Sequence, residues 1–449
     1  MERSQLCIPV TVLEWRHQKQ HLEKRVLIRF PLPYRVGEDF RPGNGDEKIR
    51  CEAGTYAWIQ ENCPEIPIPR LYGFGMSSGE TFTHVENFSI LFRWIQYFRR
   101  RMLSFLGRTT PSKYVRHQIQ NNLTRELNVG YLLIEYIEAR EGTMLSSTWE
   151  LKHNNPKLRA NFFRDLGRIF LSLSRKPLQR IGSFAIDNNG FIHLQNRPLS
   201  LGIQELENER IPVDMPWNFT YSTVDSYVVD TLAYHDSRLY HQPNAINDTG
   251  DFIYQTSSLT TMRAIFSSFF RRDFRRGPFV LTLTDLHQSN IFVDENWHIT
   301  SLIDLEWACS LPIEMLHPPY WLTGMAVDRI EPCEYNKSRL EFMDILTVEE
   351  KRDDRKGDSP FDFKLSEIIN SAWDNGTFWY SLALSSPTGL FAIFDKEIQP
   401  RFTKTCPDYD SFHEIMPWYW TQQVLPIAKQ KVEDKRSYDN KLKAEFNID

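Results

Sequence analysis

Three side chains in the segment Leu281 to Trp307, LTLTDLHQSNIFVDENWHITSLIDLEW, have the types and spacing for metal-assisted chemistry on a hydroxyl: Asp285, Asn290 and Asp304. The stretch Ile291 to Ile303 reads as strand, turn and strand around Asp294, Glu295 and Asn296. Pairing Ile291 with Ile303 sets Asn290 opposite Asp304 at the open end of that hairpin, with alpha carbons about 4.5–5.5 Å apart. Magnesium binds oxygen donors at about 2.1 Å, takes one or two carboxylates, and fills its shell with water and substrate phosphates. An amide oxygen and a carboxylate suit it. Asp285, five residues before Asn290, then lies near the cation without ligating it, free to accept a proton from a hydroxyl. Each residue also has an ordinary structural use: Asp285 in capping a turn, Asn290 in satisfying loop backbone, Asp304 in ending a strand.

The elements that must position these groups follow from periodicity. Strands are expected over Cys7 to Leu13 and Val26 to Phe30, the second alternating Val26, Ile28 and Phe30 against Leu27 and Arg29, which puts Arg29 on the face away from the core. Asn44 with Glu47 forms a capping pair for a helix whose apolar stripe is Ile49, Ala53, Tyr56 and Ala57, ended by Pro64. Glu52 flanks that stripe, so a strand arginine can meet it. Val129 to Ile137 reads as a buried strand closing a small first part. Beyond Gly142 the pattern turns helical, with Leu158, Phe162, Leu166, Ile169, Phe170 and Leu173 on one stripe, and a further hairpin is expected over Ser183 to Leu194 around Asn189-Gly190. The mixed-sign tail from Lys429 to Glu445 reads as a solvated helix face or a frayed end.

Composition limits the function. The chain has 449 residues, enough for two or three packed lobes, with 41% hydrophobic and 25% charged residues, the balance of a soluble globular protein. A formal net charge of −5 gives no global attraction to nucleic acid or to an anionic membrane, so neither is expected as a partner. Cys7, Cys51, Cys63, Cys309, Cys333 and Cys406 form no C-x-x-C pair, which fits reduced thiols in the cytoplasm. Arg93, Arg99, Arg100, Arg101 and Arg108 interleave with Trp94, Tyr97, Phe98 and Phe105; this segment reads as a basic amphipathic helix inserted at about 86–125, a composition that also suits RNA or a membrane surface.

With these residues in view, 281–307 resembles the catalytic and metal-binding stretch of the aminoglycoside phosphotransferase family. RVLIRFPLPYRVGE, DEKIRCEAGTYAWIQENCPEIPIPRLYGFG and YLLIEYIE resemble the first lobe of its fungal members. The resemblance implies an α+β, two-lobed, protein-kinase-like fold: residues 1–138 as an antiparallel-sheet N-lobe, 139–449 as a mainly helical C-lobe. It implies transfer of the terminal phosphoryl group of ATP, with Mg, to a hydroxyl of a small-molecule acceptor. Asp285 is then the catalytic base, Asn290 and Asp304 hold magnesium, Arg29 reaches the nucleotide phosphates held by Glu52, and Glu135, Tyr136 and Ile137 form the adenine-contacting hinge. His287 and Glu306 support the site. Arginine is chemically adequate at position 29, since a guanidinium pairs bidentately with carboxylate or phosphate; a surface ion pair is the plainer reading of Arg29 and Glu52.

Two departures qualify the resemblance. Leu283 and Thr284 stand where the family has His-Gly before the aspartate, and His287 offers a substitute hydrogen bond. The first glycine is Gly37, so no glycine-rich turn precedes Arg29, and Ser4 or Gln5 would replace its phosphate contacts only in part. Either the N-terminus is shortened relative to the family or nucleotide binding is weakened. A kinase-shaped binding or scaffold protein with little turnover is therefore the alternative. Gly75-Met76-Ser77-Ser78-Gly79 matches a hydrolase nucleophile elbow, but in a proline-rich and strand-like context that does not suit one.

Overall fold

The computed structural model describes residues 5–13, 15, 24–117, 129–354, 363–403 and 409–446; Ser4, Cys406 and residues 118–128 of the expected insertion lie outside them. An antiparallel sheet comes first and a mostly helical part follows. The sheet contains β1 (Gln5–Thr11), β2 (Arg25–Pro31), β3 (Leu71–Gly75), β4 (Thr81–His84), β5 (Tyr114–His117) and β6 (Tyr131–Glu135), in the spatial order β1-β2-β6-β3-β4-β5. β1 lies two residues earlier than its apolar pattern suggests, and β6 is shorter than the expected 129–137.

Arg29 faces Cys7 across one ladder and Leu132 across the other. Its side chain does not reach solvent. The residue is 3% exposed, less than Ile28 or Phe30, because the polar face of β2 is covered by α1 (Asn44–Asn62) and by the helical part. The surface ion pair is thereby corrected.

α1 stops before Pro64 as expected, but its start differs. Asn44 and Glu47 do not cap it: Asn44 Nδ2 donates to Val36 O at 2.9 Å and to Glu207 at 2.8 Å, and Glu47 faces Arg197. The Glu38 carboxylate does the capping, accepting from Gly43 N at 2.6 Å and Gly45 N at 2.8 Å. Most of the helix is buried, since it lies between the sheet and β8 (Ser183–Ile186). Gly54 makes that approach possible; a Cβ there would stand 2.8 Å from the Phe184 backbone. A second, exposed helix, α2 (Ile90–Phe105), follows β4.

β7 (Thr143–Met144) opens the second part, and the expected stripe forms the helix Pro156–Ser174, capped by Asn155, whose side chain accepts from Lys157 N at 3.0 Å. β8 pairs with β9 (Ile192–Asn196) around Asn189-Gly190 as predicted. β10 (Phe279–Thr282) pairs with β13 (Cys309–Pro312), and between them runs the hairpin of β11 (Ile291–Val293) and β12 (Ile299–Leu302), to which β7 adds. Helices make up most of the remainder, and the charged tail belongs to the last of them, Val424–Phe446. One apolar core runs through Ile49 and Tyr56 of α1, Leu132 and Ile134 of β6, Leu166, Leu302 and Leu346, so the sheet and the helices share an interior. Among the described residues no helix is long and apolar enough to cross a membrane. The five described cysteines are unpaired.

Glu314, buried just after β13, gives this interior a pH dependence. Burial pushes its carboxyl from 4.5 up to about 7, although Arg271 N donates to it at 3.2 Å. Between those values the folded chain keeps a proton that the unfolded chain has lost, so this term lowers stability as pH rises through the window, and the deficit persists above it. Glu314→Gln is expected to stabilise the fold at pH 8 by on the order of 2–3 kcal/mol and to change little at pH 4. Equal shifts in thermal midpoint at both pH values would count against this assignment.

Candidate functional site

The segment 281–307 leaves β10 as a loop, makes the β11–β12 hairpin, and returns to β13. Among the bonds that hold the loop, Thr284 Oγ1 donates to Trp307 O at 2.6 Å, His287 N to Asp285 O at 2.9 Å, and the Trp321 indole to Leu286 O at 2.6 Å. Asn290 Nδ2 donates both to Asp285 O at 2.9 Å and to Asp285 Oδ2 at 3.1 Å, which brings these two predicted residues together. That orientation turns Asn290 Oδ1 away from Asp285, and Ser289 Oγ donates to it at 3.3 Å.

The hairpin register differs by one residue from the expected pairing. Ile291 faces Leu302, with an irregularity between Phe292 and Val293, and Ile303 N donates to Asn290 O at 2.9 Å. Asp304 therefore is not opposite Asn290 but lies two residues past the end of β12, where a positive φ of 56° turns the chain. This local conformation is unusual for a non-glycine residue.

It also directs Asp304 toward Arg29. The Arg29 guanidinium binds Glu52 Oε1 at 2.6 Å through Nη1, and binds Asp304 Oδ1 and Glu306 Oε2, the latter at 3.1 Å, through Nη2. Lys48 Nζ sits 3.1 Å from Glu306 Oε1 and 4.7 Å above the Trp307 ring. The Gln5 amide donates to the same glutamate, so Gln5 is committed there.

Three carboxyl groups, Glu52, Asp304 and Glu306, thus contact two cations, Arg29 and Lys48, and a fourth, Asp285, lies within range of this cluster's charges. The titration directions follow. Burial, against the opposing charge of Arg29, pushes Glu52 up to about 8. Burial, then the charges of Glu306 and Asp304, push Asp285 up to about 7. Asp304 is raised by burial more than Arg29 lowers it. Burial opposes ionisation of Glu306, but Lys48 and Arg29 together hold it below its ordinary value. With all four carboxyl groups ionised, negative charge would exceed that of Arg29 and Lys48, and a divalent cation would favour that ionised state. The donors also fit: Asn290 Oδ1 is an amide oxygen not used by Asp285, and the Asp304 side chain is 33% exposed. Among the described residues no three His, Cys, Asp or Glu groups are arranged to hold a metal ion together, so a cation here would rely on this amide and carboxylate with water or substrate oxygens.

The remaining predicted residues lie elsewhere. Glu135 pairs with Arg70, whose N donates to Oε2 at 3.3 Å, and the Tyr136 ring lies 4.0 Å beneath the Arg25 guanidinium. Glu135 faces Val26, three residues along the ladder from Arg29, about 10 Å away at strand spacing. Ile137 follows just past the strand end, half-buried. Nδ1 of His287 faces Ser289 Oγ at 3.1 Å and accepts from Ser289 N at 3.4 Å, hydrogen bonds within the loop. Ser77 lies in the turn between β3 and β4, its Oγ donating to Asp46 at 2.8 Å; no helix follows it, as a nucleophile elbow requires.

Lys48 was not legible as a site residue, although it lies one helical turn before Glu52. Also unforeseen is a cavity of about 150 Å³ beside the Asp285 loop, lined largely by apolar groups including Leu283, Leu286, Tyr320, Trp321 and Leu384. Burial raises the Tyr320 phenol, and the charge of Asp285 adds to that shift. Comparison with protein-family models, curated proteins and solved structures finds no match to this chain.

Proposed function

We propose that the chain is a kinase-like phosphotransferase of the aminoglycoside phosphotransferase type, passing the terminal phosphoryl group of ATP to a hydroxyl of a small molecule. One observation carries this reading: Arg29, clamped by Glu52, reaches Asp304 in a buried cluster that also adjoins the Asp285–Asn290 pair. In this mechanism Asp285 accepts the acceptor's proton as oxygen bonds to the terminal phosphorus and the bond to the bridging oxygen breaks, ADP leaving with that oxygen. Asp285 then returns the proton to water. Asn290 and Asp304 would hold magnesium, which supplies neutralisation of phosphate charge when bound. Arg29 exchanges part of its carboxylate contact for phosphate oxygens, and Glu52 keeps the guanidinium oriented. The apolar cavity beside Leu283 and Leu286 is the acceptor's place, and it favours an alcohol with an apolar body.

A second reading, a kinase-shaped binding or scaffold protein with little or no turnover, draws support from the occupation of Asp304 by Arg29. Magnesium-ATP titration tests binding. At a hundred times its dissociation constant a ligand raises folding stability by about 2.7 kcal/mol, and Asp304→Asn is expected to remove that gain. Absence of any wild-type shift at millimolar nucleotide rejects the phosphotransferase and favours the scaffold, as does a shift without transfer to any hydroxyl.

A further inference from the structure

α2 is amphipathic in the wrong sense for a helix on a soluble protein. At about 3.6 residues per turn, Leu91, Trp94, Ile95, Phe98, Met102 and Phe105 share one face. That face points outward: every one of the six is more than half exposed, Phe98 at 61% and Phe105 at 90%. The side turned to the protein carries Phe92, Gln96, Arg100 and Leu103, all half-buried, and is tied down by Arg100, which binds Glu61 at 3.0 Å and the Pro111 carbonyl. Anchoring a helix through a polar contact while presenting its aromatic residues to water costs hydrophobic free energy unless another phase covers them.

The charges specify that phase. From Phe88 to His117 there is no acidic residue, and seven basic ones occur: Arg93, Arg99, Arg100, Arg101, Arg108, Lys113 and Arg116. On the helix, Arg99 borders one edge of the apolar face and Arg101 the other, both exposed, while Trp94 and Tyr97 supply the aromatic rings that favour the headgroup level. Long cationic side chains at the edges of an apolar strip reach phosphates while the strip enters the acyl boundary. A second copy of the same helix is disfavoured, because its edge arginines would face these. The length and charge of α2 exclude spanning, in accord with the absence of a membrane-crossing helix among the described residues.

We infer that α2 is an interfacial helix that docks the protein on an anionic lipid surface, contrary to the expectation from net charge. The −5 balance of the whole chain is compatible with this, because screening confines the interaction to charges within about 8–10 Å of the surface.

The test is sedimentation of the full chain with vesicles of phosphatidylcholine alone or with added phosphatidylserine. Partition onto the anionic vesicles is expected to exceed that onto neutral ones about tenfold or more, and to weaken with salt. The double change Phe98→Glu and Phe105→Glu should abolish binding, and Arg99→Glu with Arg101→Glu should lower it at least about tenfold. Both variants alter exposed side chains, so an unchanged circular dichroism spectrum and thermal midpoint verify folding. Three results overturn the inference: wild-type protein that stays in solution with every vesicle; self-association removed by the Phe98 and Phe105 changes without vesicle binding; or binding to single-stranded RNA in place of lipid.

Discussion

Asp285→Asn is expected to lower phosphoryl transfer roughly 10²–10⁴-fold, the range for loss of a general base. The substitution keeps shape, and its amide oxygen can still accept from Asn290 Nδ2, which now lies 3.1 Å from Asp285 Oδ2. The loop should therefore keep its geometry. Removing the charge also relieves repulsion from Glu306 and Asp304, so stability should hold or rise. Steady-state transfer assays beside nucleotide-binding measurements separate the effects: affinity retained with turnover lost is the expected pattern. Wild-type turnover in this variant would remove Asp285 from the mechanism.

Arg197→Met should destabilise the fold by about 3–5 kcal/mol, because it leaves buried carboxylates uncompensated. Arg197 is fully buried and holds Glu47 at 2.9 and 2.8 Å and Glu207 at 2.7 and 2.8 Å. Arg41 also binds Glu207, but no such second cation is seen on Glu47 among the described ion pairs. Urea denaturation measures the loss, and adding Glu47→Gln to Arg197→Met should recover part of it by removing the stranded charge. A loss under about 1 kcal/mol would mean that the network contributes little beyond packing.

Local patterns located much of this architecture, and long-range partners limited the rest. The stripe from Leu158 to Leu173 became a helix, and period-two residues beside Asp294 became a hairpin, because each signal is complete within a short window. Arg29 and Glu52 were legible as partners because one strand and the next helix are neighbours in the chain. Asn44 and Glu47 misled for the opposite reason: a local capping rule fitted them, but Glu207 and Arg197, far along the chain, bind them more completely. Lys48 depends on Glu306, and Glu306 on a turn at Asp304 whose positive φ no pattern announces. The one-residue register change arose similarly, from the way the Asp294 turn closes with Val293 facing Ile299, an offset that the extra residue Thr300 in β12 only partly makes up.

α1 is fastened from its first turn to its middle: Glu47 to Arg197, Lys48 to Glu306, Glu52 to Arg29, and Gly54 against the Phe184 backbone. A swing of this helix would break several buried charge contacts at once, so it acts as a fixed post. Whatever adjustment admits a ligand must come from the other side, where β1 has a single neighbouring strand and an outward face open to water. The entrance would then work as a flap on a rigid jamb, with Gln5 and Glu306 as its latch.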